Sequence, residues 1–214
     1  MYDHDAAYAG YATCFGDRPE AILTASMGEI APGGRVLDIG VGQGRNALPL
    51  ARAGLRVTGI DPSAAAIEQV RDKAVAAGQE IALWRGEFGA YEPEAPFDAV
   101  LCFGLLQVLS RSQCASLIHR LHAWTEIGSL LMLTAWHVDD PSYERISDTW
   151  EKVGLHSFRN ERGEHRTYLA RGVIRNLIPG WEVLHHEEIL GPVHGHGDGE
   201  EHRHGVIELV ARRR

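Results

Sequence analysis

Short apolar runs, separated by segments with helical periodicity, recur along the first two thirds of the chain. The runs RVLDI, RVTGI, EIALWRG, FDAVLCF and SLLMLTAW predict five strands, which start at residues 35, 56, 80, 97 and 129. FDAVLCF shows no strict alternation of apolar and polar residues, as expected for a strand that is covered on both faces. Strand and helix alternate as far as residue 136, and this order predicts a parallel sheet with helices on both sides.

Turn and capping residues set the expected ends of the helices. The predicted helices cover 18–30, a segment capped near Asn46, 61–78 (ended by Gly78), a segment capped by Ser112, about 143–153 and 166–178. Pro49 fits the second of these helices only in its first turn, where backbone amides have no partner inside the helix. In the helix after Ser112, Cys114, Leu117, Ile118 and Leu121 follow the spacing of one buried face.

The last third of the chain follows a different pattern. Residues 138–165 are polar and predict irregular structure around one short helix. WEVLHHEEIL and GVIELVARRR predict two strands, at 181–190 and 205–214, and such a pair is most simply an antiparallel hairpin at a sheet edge. The expected fold is α/β and Rossmann-like: a doubly wound, mostly parallel seven-stranded sheet with an antiparallel C-terminal hairpin.

The length of the chain predicts one domain, because 214 residues allow one substantial core and are short for two. Within this domain we expect an N-terminal helical lid at 1–34, a cofactor-binding core at 35–136, and a substrate-side segment with the edge hairpin at 137–214.

Composition narrows the class of protein. The formal net charge of -8 argues against a nucleic-acid partner, since phosphate binding needs an excess of Lys and Arg. The three cysteines are widely spaced, with no disulfide framework or CxxC pair, which is typical of a reducing compartment. No apolar run approaches the roughly 18 residues of a membrane span. We therefore expect a cytoplasmic protein without a membrane partner, and the oligomeric state stays open.

The loop DIGVGQGRN, at 38–46, directly follows the first predicted strand and carries glycines at alternate positions. In an open parallel sheet, ligands bind beyond the carboxyl ends of strands, and glycine lets a ligand approach the backbone closely. Arg45 replaces the last glycine of the dinucleotide fingerprint, and Asp38 would repel a pyrophosphate but suit an ammonium group. Asp61, about 20 residues on, suits two ribose hydroxyls. A ligand with a ribose, a positive charge and no phosphate is S-adenosylmethionine (SAM).

Three stretches resemble known methyltransferases. VLDIGVGQGRNALPLARAGLRVTGIDPSAAAI resembles the cofactor-binding half of class I SAM-dependent methyltransferases, and this resemblance extends over roughly 35–136. GQGRN, FDAVLCFGLLQVL and the closing GPVHGHG…HRHGVIELVARRR resemble the tellurite-resistance methyltransferase family more narrowly.

The resemblance implies a role for each matching position. Asp38 and the three glycines would line the methionine and ribose, Asp61 would accept from the ribose, and Pro62 and Glu87 would lie near the adenine. The alternatives are a tight turn without a ligand for the glycines, a solvated carboxylate for Glu87 and buried packing for Cys102. The expected cofactor-binding residues are Tyr11, Arg18, Asp38, Gly40, Gly42, Gly44, Asn46, Asp61, Pro62, Glu87, Phe88, Cys102 and Phe103.

Six histidines crowd the segment 185–204, at positions 185, 186, 194, 196, 202 and 204. The resemblance implies that His194 and Arg203 lie over the substrate pocket as the catalytic residues, although the family has arginine where Gly195 stands here. A protonated His194 would orient an anion, and a neutral one would accept a proton. Two alternatives remain: a flexible surface loop, or capture of a divalent metal without a fixed zinc spacing. We assign no metal ligands at this point.

These observations predict a SAM-dependent methyltransferase that acts on a small molecule, with tellurite or a related chalcogen oxyanion as the narrower hypothesis. One alternative is an O-, N- or S-methyltransferase of a small organic metabolite. Another is a noncatalytic module that binds the cofactor or a metal through the histidine-rich loop. A dehydrogenase is a further alternative.

Overall fold

Seven strands form one sheet in the computed structural model, which describes residues 4–11, 13–194 and 201–214. The strands of this sheet and of a smaller second sheet are, in chain order, β1 Arg35–Ile39, β2 Arg56–Asp61, β3 Ile81–Arg85, β4 Phe97–Cys102, β5 Thr125–Trp136, β6 Glu151–Gly154, β7 Ser157–Arg159, β8 His165–Thr167, β9 Trp181–Leu190 and β10 Gly205–Arg213. The helices are α1 His4–Gly10, α2 Ala21–Ser26, α3 Ala47–Arg52, α4 Ala64–Ala76, α5 Arg111–Ala123, α6 Tyr143–Thr149 and α7 Ile174–Leu177.

The order of the strands across the sheet is β3-β2-β1-β4-β5-β10-β9. The first five strands are parallel, and β10 runs antiparallel to both β5 and β9. This confirms the predicted fold class and the C-terminal hairpin at the edge. Because β1 lies between β2 and β4, the chain order reverses there, and the carboxyl end of β1 is the expected ligand position of such a sheet.

The core lies on both faces of the sheet, as the apolar runs predict. In β1, Val36 packs into the cluster on one face, whereas Leu37 and Ile39 belong to the cluster on the other. All three side chains are at most 1% exposed. Burial on both faces explains why the strand reads as a continuous apolar run.

The predicted start of α3 near Asn46 is confirmed, whereas α4 begins at Ala64 and not at the predicted residue 61. Asn46 occupies the N-cap position of α3, so Pro49 is the third residue of the helix and leaves no hydrogen bond unmade. Ser63 caps α4, and its side chain accepts a hydrogen bond from the Ala66 amide. The longest helices among the described residues, α4 and α5, have 13 residues each. None of the described helices is both long and apolar enough to cross a membrane.

The predicted cap of α5 is wrong. Ser110, not Ser112, is the N-cap residue: its side chain accepts from the Gln113 amide, and the Gln113 side chain accepts in turn from the Ser110 amide. A serine followed three residues later by glutamine is the sequence pattern of a capping box, and it identifies Ser110 as the N-cap residue. Ser112 is the second residue of the helix.

Ser110→Ala is therefore expected to lower the free energy of unfolding by about 1 kcal/mol, because it leaves an amide of the first turn without its acceptor. Ser112→Ala is the matched control and should change it by much less. Denaturant unfolding of both variants measures the difference, and equal effects would contradict the assignment.

The last third differs from its prediction in two places. Residues 138–165 contain order that the polar composition hides: β6, β7 and β8 form a separate three-stranded antiparallel sheet. The predicted helix at 166–178 is wrong in its first half, which contains the end of β8, and only α7 is helical. The helix expected at 143–153 ends at Thr149, where the chain turns into β6.

Candidate cofactor and substrate site

The glycine loop turns sharply from β1 across the end of β2. The amides of Gly40 and Val41 both donate to the Ile60 carbonyl, at 2.8 and 3.0 Å. Gly42 has a φ of 50°, and a Cβ on it would lie 3.0 Å from the Tyr8 hydroxyl oxygen. Only glycine fits this position without strain, because the backbone is left-handed and an aromatic side chain lies against it.

Asp61, at the end of β2, holds the loop in place. Its Oδ2 accepts from the Gly42 amide and its Oδ1 from the Ser63 amide, each at 2.9 Å. Burial raises the pKa of Asp61, although the two backbone hydrogen bonds oppose this rise. A carboxylate has about four lone-pair positions, so two remain for a ligand that brings hydroxyl donors.

The Asp38 carboxylate is buried, and its pKa is raised. Its side chain lies at the end of β1 with the residue 2% exposed, and no described residue donates a hydrogen bond to its Oδ2. Burial raises the pKa of Asp38 to about 7, while the guanidinium of Arg45 lowers it and the neighbouring Asp61 raises it further. A buried acceptor without a donor destabilises the folded state by about 1–3 kcal/mol. A ligand with an ammonium group would supply the missing donor.

The N-terminal segment covers this loop, but through residues that the sequence analysis missed. Asp5 of α1 accepts from the Ser63 hydroxyl at 2.7 Å and the Ala65 amide at 2.9 Å, so α1 is anchored to the start of α4. Tyr8 is buried against Gly42. Asp5 and Tyr8 are three residues apart, so they lie on the same face of α1. This spacing is the sequence signal for the contact, but α1 has only 7 residues, too few for a helical period to show.

Tyr11 and Arg18 are the two residues of the N-terminal segment that the sequence predicts to contact the cofactor. The side chains of Tyr11 and Arg18 are exposed, and the contact described for Tyr11 is made by its carbonyl oxygen, which accepts from Gln43 Nε2 at 2.6 Å. Their contact with a cofactor stays a prediction. Gln43 also accepts from the Cys14 amide through Oε1, so the loop itself binds the N-terminal segment.

The remaining expected cofactor residues fall into two groups. Pro62 and Glu87 are exposed at the ends of β2 and β3, and the charge of Glu87 is close enough to raise the pKa of Asp61. The others are buried: Asn46 accepts from the Glu20 amide, and Phe88, Cys102 and Phe103 pack in the core clusters. Burial raises the pKa of the Cys102 thiol well above its ordinary range, so this side chain is neutral packing at physiological pH.

On the substrate side, the structure brings together three of the six histidines. His194 and His202 pair across an antiparallel bridge, and their ring centroids are 4.8 Å apart. The ring of His204 is 5.3 Å from that of His194 and 4.9 Å from that of His202. Arg203 is exposed. Gly195 and His196 lie outside the described residues.

The His204 side chain contacts Trp136, the last residue of β5, and Asp140, which follows β5 in the chain. Its ring stacks on Trp136 with centroids 3.9 Å apart, and its Nδ1 lies 2.9 Å from Asp140 Oδ2. Burial opposes the ionisation of Asp140, but hydrogen bonds from His204 and Ser142 bring its pKa below the ordinary value. The sequence analysis missed Asp140, although it follows the fifth strand closely in AWHVDD. His122 of α5 is half-buried, and its ring lies 5.9 Å from that of Trp181.

A family model matches the part of the chain that carries the glycine loop and both buried carboxylates. Residues 36–128 match the family model described as "Methyltransferase domain". The chain carries the class I methyltransferase fold. The matched residues include the glycine loop, Asp38, Asp61 and Glu87, and they end in the first residues of β5.

A curated relative and two solved structures are similar to this chain. Protein-L-isoaspartate O-methyltransferase of Methylorubrum extorquens is 44% identical over 73 residues, which are 34% of this chain and 32% of that protein. The chain thus spans about a third of the length of the curated relatives that it matches.

The two structures are similar over nearly the whole chain. TehB from Haemophilus influenzae, of the tellurite-resistance family named above, has a TM-score of 0.69 at 20% identity and covers 90% of this chain and 61% of its own. The 1,6-didemethyltoxoflavin-N1-methyltransferase of Burkholderia thailandensis, solved with S-adenosylhomocysteine, has a TM-score of 0.66 at 17% identity and covers 98% and 79%. At these identities the likeness concerns the fold alone.

Proposed function

We propose that this chain transfers a methyl group from SAM to a small-molecule acceptor. The observation that carries the proposal is the pair of buried carboxylates, Asp38 and Asp61, on either side of the glycine loop at the reversal of the sheet. Asp38 has a buried oxygen to which no described residue donates, and Asp61 has acceptor positions left over. SAM brings an ammonium group and two ribose hydroxyls, and it has no phosphate that these carboxylates would repel.

In this proposal each side chain has a binding role. Asp38 pairs with the ammonium group of SAM, and Asp61 accepts from the ribose hydroxyls while it holds the loop through Gly42. Pro62 and Glu87 border the adenine, and Tyr8 covers the loop. Cys102 and Phe103 form the wall at the end of β4. The remaining residues of the sequence prediction, Tyr11, Arg18, Asn46 and Phe88, stay part of the proposed binding region.

When bound, SAM supplies an electrophilic methyl carbon, whose bond to sulfur breaks with the electron pair left on sulfur as the acceptor's lone pair forms the new bond. The chain must hold the acceptor in line with that carbon and exclude water, and such alignment contributes about 7–11 kcal/mol to lowering a barrier. A base is needed only for an acceptor that arrives protonated. We propose His194 for that role and Arg203 for orienting an anionic acceptor.

The narrower proposal is tellurite or a related chalcogen oxyanion as the acceptor. Tellurium(IV) carries its own lone pair, so no proton has to be removed before the methyl group is transferred. The likeness to TehB over 90% of this chain supports this proposal. A small organic O-, N- or S-acceptor is the alternative within the same reaction. We further propose that the chain works in the cytoplasm, which the absence of disulfides among its three cysteines supports.

The test uses SAM labelled in the methyl group, with tellurite, selenite, thiols and phenols as separate acceptors. We expect calorimetry to show binding of SAM but not of NADH, and at least one acceptor to yield a labelled product with an equal amount of S-adenosylhomocysteine. Heat-denatured protein is the control for uncatalysed transfer. Binding of NADH in place of SAM would overturn the proposed function. Binding of SAM without a labelled product from any acceptor class would overturn the proposed class of acceptor.

A further inference from the structure

We propose that His194, His202 and His204 form a binding site for a divalent transition-metal ion, for which Zn²⁺ is the best match. The ligand nitrogens of the three side chains all lie within 4.8 Å of one another. Zn–N bonds of about 2.0–2.1 Å in a tetrahedral site place ligand nitrogens about 3.4 Å apart. The nitrogens must therefore approach one another by at most about 1.4 Å.

The backbone presents the three imidazoles together. The His194 amide donates to the His202 carbonyl at 2.7 Å, and the His202 amide donates to the His194 carbonyl at 2.8 Å. Residues directly opposite in such an antiparallel pair project to the same side. His204 follows His202 by two residues, so alternation returns its side chain to that side as well.

Two of the imidazoles are already oriented by acceptors on their other ring nitrogen. Asp140 Oδ2 lies 2.9 Å from His204 Nδ1, and the Pro192 carbonyl oxygen lies 3.0 Å from His194 Nδ1. Both contacts favour the tautomer with the proton on Nδ1, in which Nε2 carries the lone pair that a metal ion can bind. A carboxylate or backbone carbonyl behind a histidine is the usual outer partner of metal-binding imidazoles, and it makes the imidazole a stronger ligand.

Asp140 is itself fixed, which makes it a rigid support. Its Oδ2 also accepts from the Gly205 amide at 2.9 Å, and its Oδ1 accepts from the Ser142 amide and hydroxyl at 2.8 and 2.5 Å. Trp136 stacks on the His204 ring from the other direction. A histidine of an ordinary surface loop has no such frame.

The position of the site suggests its use. Trp136 ends β5, which runs parallel to β1 and β4, so the three histidines lie at the same edge of the sheet as the glycine loop. Three protein ligands leave a coordination position open, as in zinc sites that bind a reactant. If the proposed function holds, the ion would take an anionic oxygen or sulfur of the acceptor as its fourth ligand, and His194 would accept a proton only in the metal-free protein. Metal binding itself does not depend on methyl transfer.

The test is calorimetric titration of the tag-free, metal-stripped full chain with ZnCl₂ in the absence of SAM. We expect one Zn²⁺ per chain, a loss of affinity of more than about 100-fold in His202→Ala and in His204→Ala, and an unchanged affinity in His119→Ala, an exposed histidine of α5. Asp140→Asn should weaken binding by about 10- to 100-fold, as for other outer partners of metal-binding histidines. Circular dichroism confirms that each variant is folded.

A Co²⁺ titration gives a second readout. Binding to three nitrogens and one exogenous ligand should produce the visible absorption of tetrahedral Co²⁺, and His202→Ala should abolish it. The proposal is overturned if the wild-type chain binds no Zn²⁺, or if His202→Ala, His204→Ala and His119→Ala bind it equally well. SAM is absent from both titrations, so a chain that binds no metal would not contradict the proposed methyl transfer. Likewise, a chain that transfers no methyl group would not contradict the metal site.

Discussion

Asp38→Asn is expected to weaken SAM binding by about 10- to 100-fold. A hydrogen bond between charged partners contributes about 1.5–3 kcal/mol, and this change removes the negative charge that pairs with the ammonium group. Calorimetry with SAM at pH 8 measures the loss. Affinity equal to wild type would contradict the role of Asp38.

The same substitution should stabilise the protein in the absence of SAM. The pKa of Asp38 is raised from 3.8 to about 7 in the folded state, so between these values the folded state binds more protons than the unfolded state. Stability due to this group therefore falls as the pH rises from about 4 to about 7, and at pH 8 the folded chain carries the full cost of the buried charge. Asn avoids that cost.

We expect Asp38→Asn to raise the free energy of unfolding at pH 8 by about 1 kcal/mol or more, and to change it little at pH 4. Denaturant unfolding at the two pH values measures both. Opposite effects on stability and binding separate a ligand-binding carboxylate from a structural one, because loss of a structural carboxylate lowers both.

Asp61→Ala is expected to lower the free energy of unfolding by about 2 kcal/mol as well as to weaken SAM binding. The substitution leaves the Gly42 and Ser63 amides without their acceptor, and each buried unsatisfied donor costs about 1–3 kcal/mol. Relief of the buried charge offsets part of this loss. Asp61→Asn is the comparison variant, because it keeps one acceptor oxygen at the same place.

Denaturant unfolding should rank these chains as wild type, then Asp61→Asn, then Asp61→Ala in decreasing stability, and the SAM affinities should follow the same order. An Asp61→Ala variant as stable as wild type would show that the two amides find other partners, and the proposed anchoring of the loop would be wrong.

The parallel part of the fold is predictable because its signals are local. RVLDI must be buried on both faces, and glycines follow it at alternate positions, so the strand, the turn and the edge of the sheet follow from neighbouring residues. Pro49 and Ser63 likewise act within one helix turn. In contrast, β6, β7 and β8 have three or four residues each, too few for a period to appear.

The candidate site divides in the same way. Asp38, Gly42 and Asp61 lie next to recognisable strand ends, so their meeting at one edge follows from the parallel topology. Tyr8 reaches Gly42 from 34 residues away along the chain, and Asp140 reaches His204 from 64. No local pattern encodes either contact.

From the order of its residues alone, this protein is an α/β chain with a glycine loop between two acidic side chains, because periodicity, turn chemistry and strand ends are properties of adjacent residues. Folding alone decides that the Asp38 oxygen is buried without a donor, that Tyr8 covers the loop, and that three histidines converge with Asp140 behind one of them. Burial and distance depend on segments that are far apart in sequence, and these segments meet only when the core packs.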